Sequence, residues 1–329
     1  MKPILVTGAT GFIGRHLALR LVDQGKPVRL LVRDPQRLDP RLRQSAQIYP
    51  GDLTLRDSLL APTRGISGVF HCAANVHTWD QRAAYWAANV DGLGNLLDAL
   101  QGSGSMPNFF LHFSSVDVYG FPEAPAREQD PLPATTGFGY GDSKQAGEAL
   151  LRDRAAALSL PYSILRPCNV MGEGSPFVER IGTELRSGLM LLVDGGRADC
   201  GYLDVENLVD VALWLVENPR TAGETYNLRD PMSLSWQRFV ADLRRALKGK
   251  GIVLRLPYGV AMAAGYAMSA PYSAFGLRSE PLLHPLVVKI FGRTCGHDID
   301  KIRSAGAPLG RVTYEKSLDG AVTAFLRGR

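Results

Sequence analysis

The sequence predicts an α/β fold in which a doubly wound parallel sheet carries a smaller, mainly C-terminal lobe. Short, largely apolar runs recur at 2–6, 28–32, 68–72 and 108–113, as expected of strands buried on both faces. Helical patterns follow the first and the last of these runs, at 16–22 and from residue 140, and such alternation is typical of a parallel sheet. A chain of 329 residues with 45% apolar content can bury a large core and form a second lobe.

The order of these segments predicts a main domain and a lobe that the chain enters twice. We expect residues 1–165 to form the main domain, with 204–223 returning to it, and 166–203 and 224–329 to form the lobe. A further strand of the main domain is predicted at 45–49.

Three glycines follow the first strand at a spacing of G-x-x-G-x-x-G. A strand, a glycine turn and a helix N-terminus in that order form a site for the pyrophosphate of a dinucleotide, because free backbone N–H groups and the positive helix end point at one spot. Gly8 permits the tight turn, and Gly11 lets the backbone approach the phosphates. Gly14 lets the helix pack closely on the strand. An ordinary strand-to-helix turn is the alternative. The cofactor-binding residues predicted here, in a Rossmann-type domain, are Gly8, Thr10, Gly11, Phe12, Ile13 and Gly14.

The end of the second strand predicts which dinucleotide binds. NAD enzymes place an acidic residue there for the ribose hydroxyls, whereas NADP enzymes use a small group and a nearby arginine. This chain has Val32 followed by Arg33, which favours NADP(H) over NAD(H). Asp34 is the competing ribose ligand, although it can instead pair with Arg33 or cap the turn at Pro35. A solvated surface role for Arg33 is the other alternative.

Small and acidic residues follow the third and fourth strands. Ala73 and Ala74 would let the dinucleotide lie against the backbone, because a larger side chain would exclude it. Asp52, beside Leu53, could accept a hydrogen bond from the adenine amino group, or it could cap a helix near Ser58.

Catalytic chemistry is predicted from a serine after the fifth strand and from a tyrosine and a lysine four residues apart. Tyr140 and Lys144 share one face of a helix, so the ammonium can stabilise the phenolate and lower the pKa of the phenol. Such a phenol can exchange a proton with the oxygen of a carbonyl or alcohol. Ser115 can hydrogen-bond to the same oxygen.

Together these motifs resemble the extended short-chain dehydrogenases/reductases of the NAD-dependent epimerase/dehydratase superfamily, and the likeness covers nearly all 329 residues. The resemblance implies Ser115, Tyr140 and Lys144 as the catalytic set. It also implies that Pro167, Asn169 and Val170 lie by the nicotinamide. The segments that carry it are Thr7–Gly14 (TGATGFIG), Gly51–Leu53 (GDL), His71–Ala74 (HCAA), Asn89–Asn95 (NVDGLGN), Ser114–Gly120 (SSVDVYG), Tyr140–Lys144 (YGDSK) and Leu165–Gly172 (LRPCNVMG).

Further segments bear on the branch of this family. Residues 31–35 resemble the dihydroflavonol-reductase-like NADPH enzymes, and 202–208 resemble the 3β-hydroxysteroid dehydrogenases. The steroid enzymes commonly carry an acid where this chain has Val32. Nucleotide-sugar epimerases usually have Arg-Asp where this chain has Cys200-Gly201, although Asn169 lies where such enzymes often place a uridine-binding asparagine.

Composition excludes several classes of partner. The net charge is +5 and the pI about 9.0, but basic residues are dispersed among acidic ones, so no nucleic acid binding is expected. The four cysteines form no C-x-x-C pair, and the six histidines are scattered, so neither disulfides nor a metal are expected. A strand at the N-terminus predicts no signal peptide and a cytoplasmic location.

The lobe contains two unusually apolar segments, 254–275 and 281–291. The nearly uncharged run within the first segment, 257–268, is too short to span a bilayer, which takes about 20 apolar residues. Core packing as a buried helix is one interpretation. The wall of a cleft for a hydrophobic, lipid-like substrate is the other, and it leaves peripheral membrane contact open.

The function predicted is an NADP(H)-dependent ketone reductase or secondary-alcohol dehydrogenase acting on a hydrophobic substrate such as a steroid, polyketide or acyl-chain ketone. A nucleotide-sugar epimerase or dehydratase is the alternative of the same fold, and a non-catalytic NADP sensor is the alternative from another class. A homodimer is compatible with the sequence. Fold analogy does not identify the substrate.

Overall fold

The computed structural model describes residues 1–104, 106–277 and 279–328. The strands are β1 (Ile4–Thr7), β2 (Val28–Val32), β3 (Gln47–Pro50), β4 (Gly68–His71), β5 (Phe110–Phe113), β6 (Tyr162–Pro167), β7 (Asn169–Met171), β8 (Leu189–Val193), β9 (Tyr202–Asp204), β10 (Thr225–Leu228) and β11 (Ile252–Leu256). The helices are α1 (Phe12–Asp23), α2 (Pro40–Ser45), α3 (Leu60–Thr63), α4 (Arg82–Trp86), α5 (Gly92–Gly102), α6 (Gly139–Leu158), α7 (Pro176–Ser187), α8 (Val205–Glu217), α9 (Trp236–Ala246), α10 (Tyr258–Ala274), α11 (Pro285–Gly292), α12 (Asp300–Ser304) and α13 (Tyr314–Arg327). A π-helical turn, Ala87–Asp91, joins α4 to α5.

Seven parallel strands form the main sheet, in the order β10-β6-β5-β4-β1-β2-β3. Helices cover both faces, because alternate side chains of each strand point to opposite sides. In β5, Phe110 packs with Leu93 of α5 and Leu151 of α6, whereas Leu111 packs with Leu17 of α1 and the α8 leucines. The predicted α/β, Rossmann-type fold class is confirmed.

The sheet extends beyond the segment expected to return to it. Strand β10 pairs with β6 along its whole length, from Thr225 opposite Ile164 to Leu228 opposite Pro167. The expected boundary at 165 therefore cuts through β6, and the expected boundary at 223 leaves β10 outside the main domain. The five strands predicted at 2–6, 28–32, 45–49, 68–72 and 108–113 each begin and end within two residues of those positions.

The lobe has its own core, built from α7, α9, α11 and α13 around two small parallel pairs, β8–β11 and β7–β9. Trp236 is fully buried at its centre, and its indole N–H donates to the carbonyl of Ile290 across 2.9 Å. The apolar segment at 285–292 forms α11, which is largely buried, as one interpretation of the sequence expected.

Helix α10 departs from the expectation of a buried helix. Only three of its seventeen residues, Ala261, Gly265 and Ser269, are buried, at a spacing of four residues. Gly265 meets the backbone of His284 and Pro285 at the start of α11. Because α10 packs along one narrow face of small residues, most of its apolar surface lies outside the core.

Candidate active site

The candidate site lies at the carboxyl ends of β1 and β4, where the strand order reverses and the crevice of a doubly wound sheet opens. Thr7 ends β1, and its hydroxyl lies 3.0 Å from Nδ1 of His71, the register partner at the end of β4. The backbone N–H of Ala73 donates to the same hydroxyl. These contacts hold the two strand ends together, and they give His71 the structural role that its position indicates.

The glycine turn after β1 has the shape that a pyrophosphate site requires. Gly8 has φ +76°, and a Cβ there would lie 2.7 Å from the backbone nitrogen of Ala73. At Gly14 a Cβ would lie 2.3 Å from the carbonyl oxygen of Gly8, so α1 approaches the turn only because both residues lack side chains. Gly11 precedes α1 without a side-chain cap, which leaves N–H groups of the first turn free to bind an anion.

Arg33 lies exposed after β2 and has no hydrogen-bond or ion-pair partner among the residues that the structure describes. Its neighbour Asp34 is occupied: the carboxylate accepts a hydrogen bond of 2.9 Å from the N–H of Gln36 and caps the turn at Pro35. Of the alternatives for Asp34, the structure favours the cap over an ion pair with Arg33.

The segment after β3 is held by local hydrogen bonds. Asp52 Oδ1 accepts from both the N–H and the hydroxyl of Thr54, each across 2.9 Å, so its carboxylate closes a turn and caps no helix near Ser58. The carbonyl of Leu53 accepts from the side-chain amide of Asn95.

Ser115, Tyr140 and Lys144 come together at the ends of β5 and α6. Ser115 precedes a short turn, and its hydroxyl accepts a hydrogen bond of 3.2 Å from the N–H of Asp117. Lys144 is buried, and its ammonium donates to the carbonyl of Phe113 across 2.7 Å. The ammonium nitrogen lies 6.0 Å from the centroid of the Tyr140 ring. Tyr140 is half-buried beside Tyr85, with ring centroids 6.3 Å apart.

The electrostatics of this cluster differ from the sequence-based expectation. The pKa of Tyr140 is raised above its ordinary value, first by burial and then by the Asp117 carboxyl, while a hydrogen bond with Ser115 opposes the shift. Burial lowers the pKa of Lys144 to about 8. The expected lowering of the Tyr140 pKa is therefore wrong for this arrangement, because burial outweighs the stabilisation of the phenolate. A phenol that retains its proton is the form that a proton donor needs.

Asp117 is a group that sequence reasoning missed. Burial raises the pKa of its carboxyl to about 6, against the opposing effects of a hydrogen bond with Ser115 and the charge of Lys144. The signal available in the sequence was its place two residues after Ser115, in the same turn. After burial, the Asp117 carboxyl is the largest influence that raises the pKa of Tyr140.

A buried ion pair lies behind α6, the helix that carries Tyr140 and Lys144. Glu148, four residues after Lys144 on the same face of α6, accepts from Arg166 of β6 through both oxygens, at 2.8 and 2.6 Å. Ser114 donates to the same carboxylate across 2.6 Å. Burial alone would raise the pKa of Glu148, but the hydrogen bonds and charge of Arg166 outweigh it and the pKa is lowered. The pair fixes α6 against the sheet, and removing one partner of such a pair typically costs about 3–5 kcal/mol.

Two other buried polar residues border the site. His112 stacks on His71 with ring centroids 5.4 Å apart, and within the described residues neither of its ring nitrogens has a hydrogen-bond partner. Asn89, in the π-helical turn, accepts from the N–H of Asn75 across 2.7 Å and donates to the hydroxyl of Ser143 across 2.9 Å. Asn89 therefore ties the loop after β4 to α6.

The far side of the site is formed by the end of β6 and by β7. Pro167 ends β6, and Asn169 and Val170 begin β7. The amide of Asn169 donates to the carbonyl of Cys200 across 2.7 Å. Gly201, which follows Cys200, has φ +60°, and a Cβ there would lie 2.3 Å from the carbonyl oxygen of Cys295.

Neither a metal-binding cluster nor a membrane-spanning helix occurs within 1–104, 106–277 and 279–328. Among these residues no three His, Cys, Asp or Glu side chains cluster as a metal site would require. None of the described helices combines the length and apolar character needed to cross a membrane.

Comparison with known proteins places the chain among relatives of two activities. The NAD dependent epimerase/dehydratase family matches residues 4–228. A 4-hydroxy-2-methyl-3-oxo-4-farnesyl-3,4-dihydroquinoline-1-oxide ketoreductase of Stigmatella aurantiaca is 28% identical over 95% of this chain and 94% of its own. An N-acetyl-α-D-glucosaminyl-diphospho-ditrans,octacis-undecaprenol 4-epimerase of Escherichia coli O157:H7 is 27% identical over 96% and 93%.

A solved structure of MoeE5 in complex with UDP-glucose and NAD shares the fold. It superposes with a TM-score of 0.79 over 99% of both chains, at 23% identity.

Proposed function

The chain belongs to the NAD-dependent epimerase/dehydratase family, and on that premise we propose that it is an NADP(H)-dependent oxidoreductase that interconverts a hydrophobic ketone and its secondary alcohol. Residues 1–165 with 204–228 would bind the cofactor, and the lobe would bind the substrate. The observation that carries the substrate class is the closed, uncharged position at Cys200-Gly201.

The cofactor fits the residues present. The turn of Gly8, Gly11 and Gly14 would hold the pyrophosphate, and Ala73 and Ala74 would face the dinucleotide. When bound, the nicotinamide supplies or accepts the hydride. Arg33, exposed and unpaired in the described part of the chain, would bind the 2′-phosphate that distinguishes NADP from NAD.

The proton is handled by the side chains of this chain. Tyr140 would donate its phenolic proton to the substrate oxygen as the carbonyl is reduced, and its raised pKa keeps that proton in place beforehand. Ser115 would hydrogen-bond to the same oxygen and orient it. Lys144, held by Phe113, would keep a positive charge beside the phenolate that remains.

The proposed substrate class rests on the position of Cys200 and Gly201 in the lobe. Epimerases that bind a nucleotide sugar usually place Arg-Asp where this chain has Cys200 and Gly201, and a diphosphate requires such cationic partners. Cys200 is fully buried, and the backbone of Cys295 fills the space that a side chain at Gly201 would need. The amide of Asn169 is already bound to the Cys200 carbonyl. These contacts favour an apolar substrate, as does the ketoreductase among the relatives.

A nucleotide-sugar epimerase is the second candidate, and the epimerase among the relatives is the observation that favours it. The two functions are separated by a ligand panel with the Tyr140→Phe protein, which can hold cofactor and substrate without turnover. In the presence of NADPH, thermal shift is measured with 2-alkanones of increasing length, a steroid ketone, UDP-glucose and UDP-N-acetylglucosamine.

We expect the alkanones to stabilise the protein increasingly with length, since each buried methylene adds up to roughly 0.8 kcal/mol of binding. Arg220→Ala, at an exposed arginine before β10, serves as the control, because it should leave this series unchanged. The assignment would pass to the epimerase if a nucleotide sugar at micromolar concentration stabilised the protein, if Asn169→Ala abolished that stabilisation, and if no ketone raised the melting temperature.

A further inference from the structure

The most unusual surface of the described residues is an apolar hairpin, 257–277 and 279–292, formed by α10, α11 and the described part of the loop between them. Residues 257–277 contain no charged side chain. The loop exposes Phe275, at 78%, and Leu282, at 72%, and α10 exposes Val260 and Tyr266. Monomeric proteins rarely leave apolar side chains of this size exposed together, and a surface of this kind marks an interaction site.

A basic cluster lies next to the hairpin in the chain, at the end of α9 and along β11. Its members are Arg244, Arg245, Lys248, Lys250 and Arg255, all exposed. Arg245 pairs with Asp242 across 3.0 Å, whereas the other four have no carboxylate partner within the part of the chain that the structure describes. Arg244, Arg245, Lys248 and Arg255 line a cleft of about 500 Å³ whose apolar wall includes Leu192 and Val253.

Strand β11 joins the two features. Arg255 belongs to this strand, and Pro257 alone separates the strand from α10. The strand also exposes Ile252 and Leu254, and Ile252 is paired with Leu189, another exposed leucine. Alternate residues of this strand point to opposite sides, so Leu254 and Leu256 lie towards α10, whereas Arg255 lies towards the cleft of the basic cluster. The strand is therefore the edge at which the apolar hairpin and the basic cluster meet.

Positive charge is concentrated in this region. Residues 236–293 contain nine lysines and arginines against two acidic residues, a net charge of +7, whereas the whole chain carries +5. The rest of the chain therefore carries a net charge of −2. An apolar surface bordered by unpaired cations complements a bilayer, in which apolar chains lie beneath anionic headgroups.

We propose that the apolar hairpin and the basic cluster form a docking surface for an anionic phospholipid bilayer. The exposed apolar side chains of the hairpin enter the headgroup region, and the cations of the cluster bind lipid phosphates. The docking surface is independent of which substrate the catalytic site takes.

A second copy of the chain fits the same surface less well. A symmetric dimer buries the same patch of both subunits, so a dimer that buried the hairpin together with the basic cluster would place both clusters in one interface. Like charges at an interface oppose association. An anionic surface removes this repulsion.

The docking surface is connected to the catalytic site. The indole N–H of Trp79, in the loop after β4, donates to the carbonyl of Leu277 across 3.1 Å. The ammonium of Lys289 in α11 lies 5.0 Å from the ring centroid of Phe138, two residues before Tyr140. The hairpin therefore packs against two segments that border the site.

Vesicle sedimentation of the full-length protein tests the proposal. One set of vesicles contains equal amounts of phosphatidylglycerol and phosphatidylcholine, and the other contains phosphatidylcholine alone. We expect at least about ten-fold stronger binding to the anionic vesicles. Raising the salt from about 0.1 M to about 0.5 M should remove most of that difference, because screening weakens surface electrostatics.

Two variants test the two halves of the surface. Phe275→Ser with Leu282→Ser removes the largest exposed apolar groups, and Lys248→Glu with Arg255→Glu reverses two charges. Each pair should weaken binding to the anionic vesicles by about ten-fold or more.

The matched controls are Leu55→Ser with Leu326→Ser, which are exposed leucines outside the hairpin, and Arg43→Glu with Arg220→Glu. Both controls should bind within about two-fold of the wild type.

Failure of the wild-type protein to bind either kind of vesicle overturns the proposal. So does a loss of vesicle binding in the control pairs as large as the loss in the two test variants. A third result also overturns it. If the wild-type protein self-associates in sedimentation velocity and the Phe275→Ser, Leu282→Ser variant does not, the hairpin is an interface with a second copy of the chain. The wild-type comparison of lipids and salt decides the question even if one variant fails to fold.

Discussion

The ammonium of Lys144 donates to the carbonyl of Phe113 across 2.7 Å, and this contact joins the catalytic helix α6 to the end of β5. It fixes the lysine where its charge reaches Asp117, which lies in the turn after β5. The cluster proposed as catalytic is therefore built on the sheet itself, with its ammonium buried and held by a backbone carbonyl and its phenol half-buried.

Replacing Tyr140 by phenylalanine should remove the proton donor while preserving the ring and its packing on Tyr85. We expect turnover to fall by about 10²–10⁴-fold, the usual contribution of general acid catalysis. Cofactor affinity, measured by fluorescence titration, should change little. Retention of most of the activity on a true substrate would mean that another group supplies the proton.

The pH dependence of carbonyl reduction should reflect Lys144. Its pKa is lowered to about 8, so the charge that supports the Tyr140 phenolate is present below pH 8 and is lost as the pH rises through that value. We expect kcat to decline above about pH 8. Lys144→Arg keeps its charge, so the residual activity of this variant should show no such decline. If kcat of Lys144→Arg declined above about pH 8 as it does in the wild type, the decline would belong to another group.

Cofactor preference should depend on Arg33. One desolvated arginine–phosphate contact contributes about 1.5–3 kcal/mol, so NADPH should bind at least about ten-fold tighter than NADH. Arg33→Ala should remove the preference by weakening NADPH binding alone. The matched control is Arg220→Ala, an exposed arginine beside the opposite edge of the sheet, before β10. Equal affinities in the wild-type protein would disprove the role of Arg33.

Stability should fall on acidification because His112 is held neutral. Its pKa is lowered well below 6.5, first by burial and then by the charge of Lys144. Below about pH 6.5 the unfolded chain binds a proton that the folded chain excludes, so the free energy of unfolding decreases as the pH falls.

At pH 5 a fully excluded proton costs on the order of 2 kcal/mol. The free energy of unfolding, measured with urea at pH 5 and pH 7, should therefore differ less between the two pH values in His112→Leu than in the wild type. His77→Leu, at an exposed histidine, should leave the pH effect unchanged. The same pH effect in all three proteins would contradict the prediction.

Local patterns predicted the parts of the fold and site that depend on short-range sequence. Apolar runs located β1, β2 and β4 because strands buried on both faces lack polar residues. The four-residue spacing of Tyr140 and Lys144 placed them together because it corresponds to one turn of helix. The cap by Asp34 was also among the alternatives, since it involves only the next two residues.

Contacts between distant segments were not predictable from those patterns. The pairing of Glu148 with Arg166 depends on how α6 packs against β6, and the contact of Gly201 with Cys295 joins segments that lie far apart in the chain. The apolar composition of α10 suggested burial, because hydrophobicity alone does not show whether a neighbouring surface exists to cover it. The exposed hairpin became visible only in three dimensions.

The most direct test of the proposed oxidoreductase is whether the enzyme consumes its cofactor. Purified protein is incubated with NADPH and a series of long-chain or steroidal ketones, and the loss of reduced nicotinamide absorbance is compared with the alcohol formed. We expect one alcohol for each NADPH oxidised, and no net oxidation with UDP-sugars. Turnover of a UDP-sugar without net change in the cofactor, together with no oxidation of NADPH by any ketone, would contradict the account.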